Sequence, residues 1–288
     1  MKKTILILGS EGQIGNHLKI FLNKKKYKVL EFDLVKSKKE DLRIHNNKIL
    51  DFRIGKSDFV FFLAFDVGGS RYLKKYQNTF KFISNNIQLM ENTFKILKKH
   101  KKPFIFASSQ MSNMNHSPYG VLKSIGEKYT EILGGVVVKF WNVYGVEKNL
   151  DKSHVITDFI LKALKYKNIS MLTNGEEQRD FLYADDCCEG LEKILINYKK
   201  IKKINRSIDL TTGKFTRIRE IAKIIKKLLI KSGTNISIQS SKAMDTVQLD
   251  KKNIPNTYLK KYWKPKYSLE NGISKILNYY LKDINDKK

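Results

Sequence analysis

Short apolar runs alternate along the chain with segments whose apolar residues fall at helical spacing. The runs are Thr4 to Leu8, Lys28 to Phe32, Phe59 to Ala64 (FVFFLA), Pro103 to Ala107 (PFIFA) and Val136 to Trp141. The longer ones do not alternate apolar with polar, as expected of strands buried on both faces of a parallel sheet. Between them, Ile14, Leu18, Phe21 and Leu22 share one helical face. Phe82, Ile83, Ile87, Met90, Phe94 and Leu97 do so within a predicted helix Asn78 to His100, and a further helix is predicted for Tyr119 to Leu133. Repetition of strand and helix argues for an α/β fold built on a doubly wound parallel sheet. Beyond Val146 the pattern changes. A helix His154 to Lys165, a short strand Ser170 to Leu172, the segment QRDFLYADD, and helices Asp185 to Asn197, Thr216 to Ile230 and Leu269 to Leu281 predict a smaller C-terminal α/β lobe. The expected division is residues 1–146 for a nucleotide-binding domain and 147–288 mainly for a substrate lobe, with Ser207 to Thr211 (SIDLT) returning to the main sheet near 207–212. The basic, aromatic stretch 260–267 is expected to pack on the surface.

The first strand, helix and second strand, MKKTILILGSEGQIGNHLKIFLNKKKYKVLEFD, form half of a nucleotide-binding βαβ unit. Gly9 lets the chain turn off the strand, Gly12 removes a Cβ where backbone must approach a pyrophosphate, and Gly15 lets the helix pack closely. The helix N-terminus then offers free N–H groups and a partial positive charge to phosphates. Asp33, ending the second strand, is placed to accept ribose hydroxyls and to repel a 2′-phosphate, which favours NAD over NADP. Asp41, in a short strand at Glu40-Asp41-Leu42, is expected near the adenine. Asp66 to Gly69 (DVGG) follows FVFFLA at the sheet edge where ligands collect.

Composition narrows the partners. The chain of 288 residues carries a formal net charge of +28, which invites a nucleic-acid reading. Only seven of the 56 basic residues are arginine, however, and the lysines spread over nearly every helix and loop rather than one patch. That spread argues against nucleic-acid binding, while the field still favours an anionic substrate. Cys187 and Cys188 are adjacent and match no disulfide or metal-ligand spacing, so they are expected to be packing residues and no metal is expected. No run is long enough to span a membrane, and the apolar start ILIL breaks at Gly9-Ser10-Glu11, too early for a signal-peptide core. The expected location is cytoplasmic.

Tyr119 and Lys123 are four apart, hence one turn apart on one helix face. Ionising a phenol near pH 7 takes about three units from its reference pKa, or ~4 kcal/mol, and a lysine ammonium and an oxidised nicotinamide both push that way. Tyr119 is then fit to take a proton from a sugar hydroxyl as hydride leaves the same carbon. Ser109, ending the preceding strand, is placed to hold the same oxygen.

Taken together, GSEGQIG, Asp33, FASSQ, SPYGVLK, FWNVYG and QRDFLYADD resemble the extended short-chain dehydrogenase/reductases of the NAD-dependent nucleotide-sugar epimerase and dehydratase group. The resemblance implies a Rossmann-type sheet and NAD held by Gly9, Gly12, Gln13, Ile14, Gly15, Asp33, Asp41, Leu42, Ala64, Tyr119 and Lys123. It implies a nucleotide diphosphate sugar as substrate and Ser109, Tyr119 and Lys123 as the catalytic trio, with Lys123 lowering the phenol's pKa. Asn142 and Arg179 would help hold the substrate, Arg179 beside Asp180 either binding phosphate or ordering the loop that does, with a structural Arg-Asp pair as the alternative. Val67-Gly68-Gly69 and Ser153-His154-Val155-Ile156 resemble GDP-fucose synthases, which implies a GDP-sugar, Gly69 at the substrate and His154 as an acid at the sugar. A histidine at a helix start is equally read as a cap or a core residue.

The departures restrict the chemistry. Gln110-Met111 stands where 4,6-dehydratases of the group carry Asp-Glu, and Met111 where fucose synthases carry cysteine. Elimination of water and 3,5-epimerisation are therefore both disfavoured, leaving redox at carbon 4 by a dehydrogenase or 4-epimerase in surface polysaccharide biosynthesis. The alternatives are a GDP-4-keto-sugar reductase or epimerase-reductase and a non-catalytic NAD-binding regulatory relative. A shorter loop from Ser109 to Tyr119, and Lys139 where arginine is frequent, change the walls of the sugar pocket. Helices 78–100 and 119–133 are expected to form a homodimer interface, as in the group.

Overall fold

The computed structural model describes residues 3–204, 207–248 and 253–286. Its first part runs β1 (Thr4–Leu8), α1 (Gln13–Lys24), β2 (Lys28–Phe32), α2 (Lys48–Lys56), β3 (Phe59–Phe62), α3 (Ser70–Tyr76), α4 (Phe80–His100), β4 (Phe104–Ser109), α5 (Pro118–Ile132) and β5 (Val136–Phe140). The second part runs β6 (Asn142–Tyr144), α6 (Val155–Tyr166), β7 (Asn168–Ser170), β8 (Gln178–Tyr183), α7 (Ala184–Ile196), α8 (Tyr198–Lys202), β9 (Ile208–Leu210), β10 (Phe215–Arg217), α9 (Ile218–Lys231), β11 (Ser237–Gln239) and α10 (Leu269–Asn285).

Six parallel strands form the main sheet in the order β2-β1-β3-β4-β5-β9. Successive residues of its strands point to opposite faces, and both faces are covered. Ile5, Ile7, Phe59, Phe61 and Ile105 pack with Leu18 and Leu22 of α1 and Leu191 and Ile194 of α7. Leu6, Leu8, Val60, Phe62, Phe104 and Phe106 meet Leu50 and Ile54 of α2, Met90 and Phe94 of α4, and Leu122 of α5. That double cover is why the runs show no polar alternation, and each large side chain so buried contributes about 1.5–3 kcal/mol. The smaller lobe has its own core of Ile156, Phe159 and Ile160 of α6, Ile221, Ile225 and Leu229 of α9, and Ile273, Ile276 and Leu277 of α10. It also holds a three-stranded sheet, β10-β8-β6, and the parallel pair β7-β11. Among the described residues no helix is long and apolar enough to cross a membrane.

Several boundaries differ from the sequence reading, each for a visible reason. Helix α4 starts at Phe80 because Thr79 caps it, its Oγ1 accepting the Phe82 N–H. Glu40-Asp41-Leu42 is not a strand. Glu40 is drawn inward by the Asp33 N–H (3.0 Å) and Arg53 (2.7 Å), which closes a 3-10 turn at Lys38–Glu40. The strand expected at 170–172 sits at Asn168–Ser170, against β11. Thr216 is in β10, opposite Arg179 of β8, and the helix begins only at Ile218. Trp263, expected at the surface, is 6 % exposed and belongs to the core under α7. Both cysteines lie buried in α7, and burial pushes both thiols up, which leaves them as apolar filling.

Candidate active site

Strand order reverses at β1, which has β2 on one side and β3 on the other, and a crevice opens at the C-terminal ends of such strands. A cleft of about 540 Å³ lies there, walled by the main sheet and by the loop that leads into α6. Gly9 turns the chain off β1 at φ +86°, and a Cβ on it would lie 2.8 Å from the Ala64 backbone. A Cβ on Gly15 would lie 1.9 Å from the Gly9 oxygen, so only glycine lets α1 start this close to the turn. Helix α1 has no side-chain cap and no acidic residue in its first turn. Its unpaired N–H groups and positive end therefore suit a pyrophosphate. Gln13 and Ile14 line the cleft beside it.

Asp33 stands at the end of β2 with its carboxylate fixed by two backbone donors, the Glu11 N–H and the Val35 N–H, both at 2.8 Å. Each oxygen keeps acceptor capacity for a ribose hydroxyl. Asp41 and Leu42 also line the cleft, but the Asp41 carboxylate is engaged by Arg43 through three contacts of 2.7–3.1 Å. Arg43 further donates to Asn85 at 2.9 Å. The guanidinium that could have met a 2′-phosphate is thereby neutralised, which agrees with Asp33 in favouring NAD.

On the cleft floor Ser109 ends β4 and Tyr119 opens α5. Ser117 caps that helix and Pro118 fills its first position, which fixes where the tyrosine emerges. Burial pushes the Tyr119 phenol up to about 12, opposed by a hydrogen bond with Ser109. Lys123 is 3 % exposed, donates to the Ala107 carbonyl at 2.6 Å and lies 3.6 Å above the centre of the Phe65 ring. Burial pushes its ammonium down to about 7, with Glu127 one turn on pulling it partly back. The sequence reading had Lys123 easing the phenol's ionisation. In this arrangement Ser109 opposes the upward shift, while the lysine bonds to Ala107 and stacks on Phe65 with its Nζ 5.7 Å from the centre of the Tyr119 ring. A phenol at about 12 is neutral at pH 7, and stripping it costs about five units, or ~7 kcal/mol.

The opposite wall comes from the smaller lobe. Asn142 lines the cleft and donates to the Asp180 carbonyl at 3.3 Å, and Gly69 lines it with its N–H on the Lys152 carbonyl. His154 lines it too; it occupies the N-cap position of α6 without a side-chain cap bond, its ring being turned to Glu147 instead, and it is outside the apolar core of the lobe. Two lysines of the loop before it reach across, Lys148 to Glu11 at 2.9 Å and Lys152 to Asp66 at 3.0 Å. Arg179 is a correction. It lies outside the main cleft, buried and ion-paired with Asp245 rather than with its neighbour Asp180, and Asp245 in turn accepts the backbone N–H of the cleft-lining Gln248 at 3.3 Å. Its neighbour Asp180 is wholly buried and accepts from Thr211, Thr212 and Gly213, pinning the turn after β9. Sequence reasoning missed Phe65, Glu147 and Gln248, all cleft-lining. Gln248 takes a hydrogen bond from Gln110 at 3.1 Å across 138 positions, and no local pattern announces such a pair.

A glycine turn at a switch point, an acid ending the second strand and a Ser-Tyr-Lys floor define a dinucleotide-binding enzyme of oxidoreductase type. The family model for NAD dependent epimerase/dehydratase proteins matches residues 5–208, and the chain belongs to that family. Its members are NAD-dependent enzymes on nucleotide sugars. The chain is 26 % identical to a GDP-L-colitose synthase of Yersinia pseudotuberculosis over 98 % of this chain and 99 % of that protein. It is 23 % identical to UDP-glucuronic acid decarboxylase 1 of Xenopus tropicalis over 98 % of this chain and 73 % of that protein. In fold it is similar to a UDP-glucose 4-epimerase of Thermotoga maritima, with TM-score 0.81, 20 % identity, and 98 % and 99 % of the two chains covered.

Proposed function

We propose that the chain is an NAD-dependent oxidoreductase acting at carbon 4 of a GDP-linked sugar. The observation that carries the reading is the floor of the cleft, where Ser109, Tyr119 and Lys123 meet beside the glycine turn while Gln110-Met111 supplies no second acid for elimination. NAD, when bound, supplies hydride exchange with the sugar carbon. Ser109 orients the reacting oxygen, Tyr119 carries its proton, and Lys123 holds the nicotinamide ribose and adds positive charge when protonated. Asn142 and Gly69 face the sugar side. The guanine preference is supported by the full-length similarity to a GDP-L-colitose synthase and by Val67-Gly68-Gly69 and Ser153-His154.

The raised phenol favours a second reading within the same chemistry. A tyrosine that stands neutral at pH 7 is set to give its proton to a 4-keto oxygen as hydride arrives, which is the reductase direction. In either direction the proposed setting is cytoplasmic surface-polysaccharide synthesis by a homodimer. Helices α4 and α5, which leave Phe80 (87 %) and Ile132 (81 %) exposed together with Ile87, Val121 and Ile125, are the faces we assign to it.

The test is to denature the purified protein, identify the released nucleotide and its redox state, and then supply GDP-, UDP- and dTDP-hexoses and their 4-keto forms. An isomer formed with no net change in nicotinamide absorbance identifies a 4-epimerase. Consumption of reduced cofactor with a keto sugar identifies a reductase. No nicotinamide bound or used, or Tyr119→Phe turning over like the native chain, refutes the reading and leaves a non-catalytic binding protein.

A further inference from the structure

The loop between β6 and α6 carries a pair that the trio does not use. Glu147 is almost wholly buried, its side chain 5 % exposed. Its Oε1 lies 2.7 Å from Nδ1 of His154, and its Oε2 accepts the His154 backbone N–H at 2.9 Å. Both carboxylate oxygens thus engage His154, and the Thr157 side chain adds a further bond to the group. The glutamate is itself bolted from behind by Tyr280 of α10, whose hydroxyl donates to the Glu147 carbonyl and accepts the Glu147 N–H, both at 3.1 Å.

Burial pushes the Glu147 carboxyl up, but the hydrogen bond and the charge of the His154 ring, together with the His154 backbone N–H and the Thr157 side chain, outweigh it and hold the group below its ordinary range. An ionised carboxylate has no proton to give, so Nδ1 must carry the one between them. In the neutral ring Nε2 is then left with its lone pair. The His154 side chain is 39 % exposed and lines the cleft, and among the described residues nothing bonds to Nε2.

We propose that Glu147 is a positioning residue that holds His154 in the Nδ1–H tautomer and so presents Nε2 as a proton acceptor to a hydroxyl of the bound sugar. The sugar half of this statement rests on the nucleotide-sugar reading; the tautomer half does not. A glutamine at 147 has one acceptor oxygen where the carboxylate has two, so the His154 backbone N–H and the ring would compete for it. The ring then meets an amide donor and is driven toward the Nε2–H form, which cannot accept from a sugar hydroxyl.

The experiment compares the full-length chain, isolated with its NAD and labelled with 15N-histidine, with Glu147→Gln and Tyr280→Phe. His154 signals are assigned by their loss in His154→Asn. At the alkaline end of a pH series, where the 15N shifts of His154 no longer change, the native ring is expected with Nδ1 protonated and Nε2 bare. Glu147→Gln is expected to move it toward Nε2–H and to lower kcat/KM for the accepted nucleotide sugar about 100-fold. Tyr280→Phe, which loosens the same loop but leaves the carboxylate, is expected to keep the native tautomer. A native Nε2–H ring overturns the proposal even where Glu147→Gln fails to fold. So does a folded Glu147→Gln with native tautomer and turnover, or a Tyr280→Phe whose ring moves to Nε2–H although the carboxylate remains. A chain with the Nδ1–H ring that turns over no nucleotide sugar instead refutes the functional reading, and the tautomer lock stands without it.

Discussion

Replacing Lys123 with methionine removes a buried cation while keeping an unbranched side chain one atom shorter, and its effect on stability follows from the site. Burial holds this ammonium at about 7, against about 10.4 for a free lysine. Below about pH 7 the folded and unfolded chains both hold the proton, and the folded chain bears the whole cost of burying it. That cost is roughly 3.5 units, or ~5 kcal/mol. As pH rises toward about 10.5 the unfolded chain loses the proton too, and the cost disappears. Between pH 7 and pH 9 the native chain should therefore gain about 2 kcal/mol relative to Lys123→Met. The absolute difference at pH 7 is smaller than ~5 kcal/mol, because the variant leaves the Ala107 carbonyl without its donor, a loss of about 1–3 kcal/mol. That loss is common to both pH values and drops out of the comparison. Urea denaturation of both chains at pH 7, 8 and 9 measures it. A stability difference that does not change over that range refutes the account of Lys123 as a desolvated cation.

Three further outcomes are expected. Gly15→Ala should destabilise by about 1–3 kcal/mol, although alanine in a helix ordinarily gains about 1 kcal/mol, because its Cβ would lie 1.9 Å from the Gly9 oxygen; thermal melting reads the sign. Asp33→Asn should weaken NAD about tenfold, the value of one charge-assisted hydrogen bond, and narrow the preference over NADP, as titration calorimetry with both nucleotides would show. Asp180→Asn should cost about 2–3 kcal/mol through the turn at Thr211, Thr212 and Gly213, with NAD affinity unchanged, since Asp180 lies off the main cleft.

The parts that could be read from the sequence are those written in local pattern. The strand-helix alternation, the glycine turn with Asp33, and Ser109 before Tyr119 and Lys123 all sit within single βα units, where spacing dictates proximity. Helix α2 escaped because only Leu50 and Ile54 are buried along it, too few for a periodic signal. Its one usable mark was Asn47, whose side chain accepts the Ile49 and Leu50 N–H groups. The fate of Arg179 depends on Asp245, 66 positions on, and that of Trp263 on the space beneath α7. Glu147 and His154 are only seven apart, but they meet through a loop rather than a helix turn, so no periodicity links them. The electrostatics were also out of reach. Tyr119 and Lys123 are one turn apart as expected, yet burial, which spacing does not encode, decides that the phenol is neutral and the ammonium strained.

The most direct test of the central claim is the fate of deuterium placed on carbon 4 of the nucleotide sugar the chain accepts or, for a 4-keto substrate, on the transferable position of the reduced nicotinamide, from which it should reach carbon 4. Hydride transfer within the cleft predicts that the label appears on the nicotinamide, or returns to carbon 4 of the isomerised sugar, with none in solvent. Deuterium released to water, or left in place on carbon 4 while product forms without label passing through nicotinamide, would contradict it.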